Sequence, residues 1–107
     1  HSYTMLNAVA ATSAQESGVV NVFGVDKLSI HVKFSANNSG TFTVYARNSE
    51  DDAWFSVSFN VTPTITTDNE ALLVINEVPF DEIKLAWAPS AGSGTMTAVL
   101  KMKSIGS

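Results

Sequence analysis

Histidine is the side chain best suited to proton transfer near neutral pH, and the sequence contains two, His1 and His31. Nucleophilic catalysis needs a nucleophile beside a base that a third group orients. We interpret His1, together with Ser2, as a remnant of a tag or of processing. His31 alternates with Lys33 on the polar side of a predicted strand, which favours a solvated surface histidine. We therefore predict no catalytic residue and expect a protein that is not an enzyme.

Two acidic clusters, residues 50–52 and 68–70, carry the oxygen ligands that calcium prefers. Neither cluster has the alternating acidic spacing and the glycine of an EF-type loop. Acidic residues are also favoured in turns for their geometry and solubility, so we interpret both clusters as turns and predict no metal site. The segment Gly92-Ser93-Gly94 is not followed by a helix or by a Lys-Ser/Thr pair, so it does not predict a phosphate loop. No cofactor is predicted.

Three residues form a candidate partner-binding surface. Tyr45 and Trp54 fall on the polar sides of two predicted strands, where they could form an exposed platform for a sugar, and Arg47 shares the side of Tyr45. The alternative is that these aromatic side chains are packed or only incidentally exposed. Trp87 differs from them because it alternates in phase with apolar residues, which predicts a place in the core.

The basic side chains are not spread evenly along the sequence. Lys27, His31 and Lys33 project from one side of a predicted strand, and Lys101 and Lys103 project from the last strand. If these two strands are neighbours, the protein has a basic face on an acidic body. Such a face would suit docking to an acidic protein surface, and a merely solvated face is the alternative.

Length and composition limit the class of protein. The 107 residues predict one domain, and the absence of cysteine excludes a disulfide framework. A net charge of −4 with a single arginine disfavours nucleic-acid binding, which needs clustered cations. No apolar run approaches the roughly 20 residues of a membrane-spanning helix, and no signal peptide is visible. We therefore expect no nucleic-acid or membrane partner.

Alternation of apolar and polar residues predicts strands throughout the chain, most clearly over residues 27–34. Seven or eight short strands separated by turn signals predict an all-β fold, a single antiparallel β-sandwich of Ig-like or jelly-roll-like form. Residues 80–103 are interpreted as a hairpin with its turn at 89–94, and residues 37–40 as the turn of another hairpin. The apolar run at 71–78 predicts a strand covered on both faces, and the second cover could be another subunit.

The N-terminal part has no clear period. Residues 1–18 are rich in alanine, serine and threonine, and they predict an extended arm, or a short strand and a loop. We therefore divide the chain into an N-terminal arm over residues 1–18 and a β-sandwich domain over residues 19–107.

Three segments resemble accessory virion proteins of tailed bacteriophages, such as capsid decoration, head-fibre and tail-associated β-sandwich proteins. These segments are LNAVAATSAQESGVV, TFTVYARNSEDDAWFSV and IKLAWAPSAGSGTMTAVLKMK. The resemblance implies a virion location, a symmetric homo-oligomer with a trimer favoured, and the major capsid protein or another virion protein as partner. It also implies an arm over residues 3–20 and a subunit contact at Leu73 and Ile75.

The leading hypothesis is accordingly a non-enzymatic phage structural protein that binds and stabilises the capsid surface as a decoration protein. The alternative is a carbohydrate- or receptor-binding β-sandwich module of a tail or fibre, which would use Tyr45, Arg47 and Trp54.

Overall fold

The structure is a computed structural model that describes residues 2–36, 38–61 and 70–104. Every regular element in these residues is a β-strand, and all the pairings between strands are antiparallel. The strands are β1 (Ser2–Ala10), β2 (Gln15–Glu16), β3 (Val20–Asn21), β4 (Lys27–Phe34), β5 (Asn38–Arg47), β6 (Phe55–Val61), β7 (Glu70–Ile75), β8 (Glu82–Gly92) and β9 (Thr95–Lys103).

The strands form two sheets that enclose one core. The first sheet has the order β1-β9-β4-β7, and the second has the order β2-β8-β5-β6, with β3 also paired to β8. Because β2 and β3 pair with successive parts of β8, the two short strands together occupy one strand position. The result is an eight-position, two-sheet arrangement of the jelly-roll kind. The predicted antiparallel β-sandwich is confirmed.

Strand β4 shows why these residues fold as a sandwich. Its residues alternate between exposed or half-buried and fully buried, as its sequence KLSIHVKF predicts. Each inward side chain meets the inward side chains of the opposite sheet, and Phe34 contacts Trp87 with ring centroids 5.5 Å apart. The largest fully buried side chains are Trp87, Phe42, Ile30, Ile83, Leu85, Met96, Leu100, Val22, Val32 and Val44.

The predicted hairpin over residues 80–103 is wrong, although its inward residues are right. Strands β8 and β9 belong to different sheets, so they face the same core from opposite sides. Strand β8 runs on through Pro89 to Gly92, and the chain then crosses to the first sheet. Alternation marks which side chains are inward, but it does not distinguish a hairpin from a connection between sheets.

The predicted hairpin at residues 37–40 is also wrong, because β4 and β5 lie in opposite sheets. Asn38 begins β5 and is almost completely buried. Its amide Nδ2 donates hydrogen bonds to the carbonyl oxygens of Ala36 and Ser93, both at 2.9 Å, and so ties together the two connections between sheets. Strands β5 and β6, in contrast, do form a hairpin around residues 48–54.

The N-terminal stretch is a strand and a loop, the second of the two forms that the sequence left open, rather than an arm. Strand β1 pairs with β9, and register shifts between Thr4 and Leu6 allow both Met5 and Leu6 to be buried. Beyond β1, the carbonyl oxygen of Ala11 accepts a 3.0 Å hydrogen bond from the buried indole of Trp87. Residues 2–10 are therefore part of the first sheet.

Strand β7 corrects the predicted subunit contact. Leu73 is 5% exposed and belongs to the core, and Ile75 packs against the core. The side chains on the other side of β7, Leu72 and Val74, are 61% and 49% exposed. Because side chains alternate along a strand, Leu73 faces the core of its own sandwich, whereas Leu72 and Val74 face outward.

Candidate binding surfaces

An aromatic–cation surface lies on the outer face of the second sheet, formed by Tyr45, Arg47, Trp54 and Lys84. The Arg47 guanidinium carbon lies 4.1 Å from the ring centroid of Trp54. The Lys84 ammonium lies 4.9 Å from the same centroid and 5.4 Å from that of Tyr45. The structure therefore brings together all three residues of the predicted surface. It adds Lys84, which pairs with Tyr45 across β5 and β8 and could be found only from that register.

The cations of this surface already have carboxylate partners. Arg47 Nε donates a 2.8 Å hydrogen bond to Glu82 Oε1, and Lys84 Nζ lies 3.2 Å from Glu16 Oε1. The Arg47 and Lys84 side chains are only 16% and 20% exposed. Cation–π contact and ion pairing stabilise this arrangement within the chain, so a sugar that stacks on Trp54 must compete with both cations.

The outer face of the first sheet carries a second surface. Strands β4 and β9 are neighbours, which confirms the condition for the predicted basic face. Lys27, Lys33, Lys101 and Lys103 are all exposed on this face, which we call the lysine face, and they are four of the six cations of the chain. The basic face predicted from the sequence therefore forms.

His31 lies near the middle of the lysine face. Its imidazole Nε2 contacts the carboxylate of Glu70 on β7, and the His31 side chain is 47% exposed. The histidine is thus a surface residue, as expected, but it has a carboxylate partner. Glu70 is 39 positions away in the sequence, so only the pairing of β4 with β7 reveals the contact.

A pocket of about 180 Å³ opens at one end of the lysine face. Lys27 lies directly opposite Lys103 in the β4–β9 register, and Lys101 lies opposite Ser29, which brings three ammonium groups to this end of the face. The pocket is lined by Lys27, Leu28, Ser29, Val74, Asn76, Lys101 and Lys103.

A third surface, the apolar edge, joins the last strands of the two sheets, β6 and β7. The exposed side chains of Phe55, Val57, Leu72 and Val74 define it. Phe55 and Val57 are on the inward side of β6, opposite Ala46 and Val44, yet they are 67% and 52% exposed because β6 is the last strand of its sheet. A cleft of about 470 Å³ opens here, lined by Val44, Ala46, Val57, Val74, Ile75, Glu77, Pro79 and Phe80.

Within residues 2–36, 38–61 and 70–104, no three histidine, aspartate or glutamate side chains come together as metal ligands would. The acidic cluster at 68–70 lies outside these residues except for Glu70. The described strands and loops also include no helix with the length and apolar character needed to cross a membrane.

Comparison with known proteins gives a likeness of fold. No protein-family model and no curated protein matches this chain. Among solved structures, the SPBc2 prophage-derived protein YomS matches with a TM-score of 0.63 and 17% identity, over 95% of this chain and 90% of that protein. The family 11 carbohydrate-binding module from Clostridium thermocellum matches with a TM-score of 0.46 and 13% identity, over 97% of this chain and 88% of the module.

Proposed function

We propose that this chain is a non-enzymatic structural protein of a tailed bacteriophage, located in the virion, that binds and stabilises the capsid surface as a decoration protein. The observation that carries the proposal is the apolar edge. Clusters of exposed apolar side chains are typical of protein–protein interaction sites. The resemblance of three segments to phage virion proteins, and a fold like that of a prophage-derived protein, support the phage setting.

The occupant that we propose for the apolar edge is a second copy of the chain, in a homo-oligomer for which we favour a trimer. Within the described residues β7 is the last strand of its sheet, and its residues from 71 to 75 include no charged or proline residue that would prevent pairing with another chain. We therefore place the subunit contact, which the resemblance implied at Leu73 and Ile75, at Phe55, Val57 and Leu72.

The proposed partner in the virion is the major capsid protein or another virion protein. A protein that binds only the assembled particle stabilises the particle by mass action, because binding lowers the free energy of the assembled state alone. This mechanism requires surface contact and no chemical step.

Light scattering after size exclusion, over a range of protein concentrations, tests the homo-oligomer. Val57 and Val19 offer a matched pair, since they are 52% and 48% exposed but only Val57 lies at the apolar edge. We expect a trimeric wild-type protein, a trimeric Val19→Lys variant and a monomeric Val57→Lys variant. A wild-type protein that stays monomeric, or a Val57→Lys variant with unchanged mass, would overturn the subunit contact.

Co-sedimentation with tailed-phage capsids that lack the protein tests the capsid role. We expect the wild-type protein to sediment with the capsids and to raise the temperature at which they come apart. A protein that stays in the supernatant at every concentration would overturn the decoration role.

A second candidate function, a carbohydrate- or receptor-binding module of a tail or fibre, is favoured by the meeting of Tyr45, Arg47 and Trp54. The cations over the Trp54 ring disfavour carbohydrate binding, because a stacked sugar must compete with them. A glycan array decides between the two. We expect no glycan bound above background, whereas a glycan that the wild-type protein binds and the Trp54→Ala variant does not would establish the second candidate.

A further inference from the structure

The pocket on the lysine face gathers positive charge in a way that does not help the chain to fold. Lys27 and Lys103 are direct neighbours across β4 and β9, and like charges in such positions are destabilising. Lys101 is two positions before Lys103 and projects from the same side of β9. The three ammonium groups therefore repel one another around a concave site.

None of the pocket lysines forms an ion pair within the described part of the chain. Its ion pairs join His31 to Glu70, Arg47 to Glu82 and Lys84 to Glu16, and none involves a pocket lysine. Two nearby acidic residues, Asp26 and Glu77, line an adjoining cleft rather than the pocket.

The rest of the lining defines what kind of anion fits. Ser29 and Asn76 supply neutral hydrogen-bond donors, while Val74 supplies an apolar wall. A volume of about 180 Å³ is several times the roughly 30 Å³ that a water molecule occupies in the liquid. The pocket therefore has room for one or two carboxylates together with part of the aliphatic chain that bears them.

We propose that this pocket binds the carboxylates of an acidic partner protein. The inference rests on the proposed function, because it names the chemistry by which the protein would recognise a neighbouring virion protein. Complementary charge on the two surfaces would set the orientation of docking and accelerate association.

A protein fits this face better than a nucleic acid does. Val99 lies opposite His31 in the β4–β9 register, so the lysines share their face with an apolar side chain. No aromatic side chain that could stack on a base lines the pocket, and the one arginine of the chain lies on the opposite face.

Nuclear magnetic resonance titration with peptides tests the proposal without any capsid. The probes are an eight-residue peptide that alternates Glu and Val, the same peptide with Gln in place of Glu, and a 20-base-pair DNA duplex. We expect the Glu peptide to shift the amide signals of Ser29, Asn76 and Lys101 and to bind more weakly as salt rises. Neither the Gln peptide nor the duplex should bind as tightly at the same ionic strength.

Two double variants with equal charge separate the pocket from the general field of the protein. Lys101→Gln with Lys103→Gln removes two pocket lysines, whereas Lys33→Gln with Lys84→Gln removes two lysines outside the pocket. From the usual strength of exposed ion pairs, we expect the first variant to weaken binding of the Glu peptide about tenfold and the second to weaken it less than about threefold.

A charge-reversed variant guards against loss of folding as the explanation. Lys101→Glu with Lys103→Glu should bind a Lys-Val peptide that the wild-type protein does not bind. Equal losses in the two Gln variants, tighter binding of the duplex than of the Glu peptide, or no binding of the Glu peptide would each overturn the inference. Because this test uses no capsid, a failure of capsid binding alone would contradict only the proposed decoration role and not the binding of carboxylates in the pocket.

Discussion

The cations on the outer faces of the two sheets have contrasting environments. On the second sheet, Arg47 and Lys84 lie over aromatic rings and pair with Glu82 and Glu16. On the first sheet, the four lysines are exposed, and within the described residues none of them forms an ion pair. The same kind of residue is therefore part of the folded structure on one face and available to another molecule on the other.

The two faces show that charge alone does not identify a binding surface. A cation whose hydrogen-bonding partners belong to its own chain binds a ligand weakly, because the ligand must first displace those partners. Like charges held together without partners are costly for folding, and that cost falls when an anion binds. The three predictions below test whether the two faces differ in this way.

The largest effect on the free energy of unfolding is expected in the core beneath the lysine face. Leu73 is buried in the core, so Leu73→Ala should lower the free energy of unfolding by about 2–5 kcal/mol, measured by guanidinium denaturation. Val19 is the control, since it is 48% exposed and lies outside the apolar edge. Val19→Ala should change stability by less than about 0.5 kcal/mol. Equal effects of the two substitutions would mean that Leu73 does not stabilise the core of its own sandwich.

An intermediate effect is expected on the second sheet. Arg47→Gln removes a charge-assisted hydrogen bond to Glu82 and the stacking on Trp54. At a partly exposed site this should cost about 1 kcal/mol, which corresponds to a fall in Tm of about 4–8 °C for a domain of this size. Circular dichroism melting curves give the measurement, with Lys33→Gln as the control. An unchanged Tm in the Arg47→Gln variant would show that the contacts of Arg47 within the chain do not stabilise the fold. The cations of the two faces would then not differ in this respect.

The smallest expected effect is an increase in the free energy of unfolding. Lys103→Gln relieves the repulsion between Lys103 and Lys27, so it should raise the free energy of unfolding by about 0.2–0.5 kcal/mol at low salt. The gain should fade near 1 M salt, where charges are screened within about 3 Å. Chemical denaturation at the two salt concentrations gives the comparison. A loss of stability at low salt would reveal an anionic partner for Lys103 within the chain.

Alternation in the sequence predicted which side chains face inward, because burial of one side of a strand imposes a period of two. It predicted Leu28, Ile83 and Trp87 in the core and placed Tyr45 and Arg47 on the outside together. The apolar run around Leu73 shows no period of two, because both sides of β7 are apolar, so the sequence did not indicate which of its residues face the core.

Pairing between distant strands could not be read in the same way. A turn-rich segment such as Gly92-Ser93-Gly94 joins two strands equally well within one sheet or between two sheets. The contacts that define the surfaces, such as His31 with Glu70 and Lys84 with Tyr45, depend on that pairing. The basic face is the exception, because the sequence reduced it to a single condition, the adjacency of β4 and β9.

The two tryptophans of the chain occupy contrasting environments within the second sheet's layer. Trp87 is 1% exposed, packed against Phe42, with its indole hydrogen-bonded to Ala11, whereas Trp54 lies on the surface beneath two cations. The protein thus carries two intrinsic fluorophores with separable signals. Emission from Trp87 reports on the packing of the segment after β1, where Ala11 accepts its hydrogen bond. Emission from Trp54 reports on events at the outer face of the second sheet.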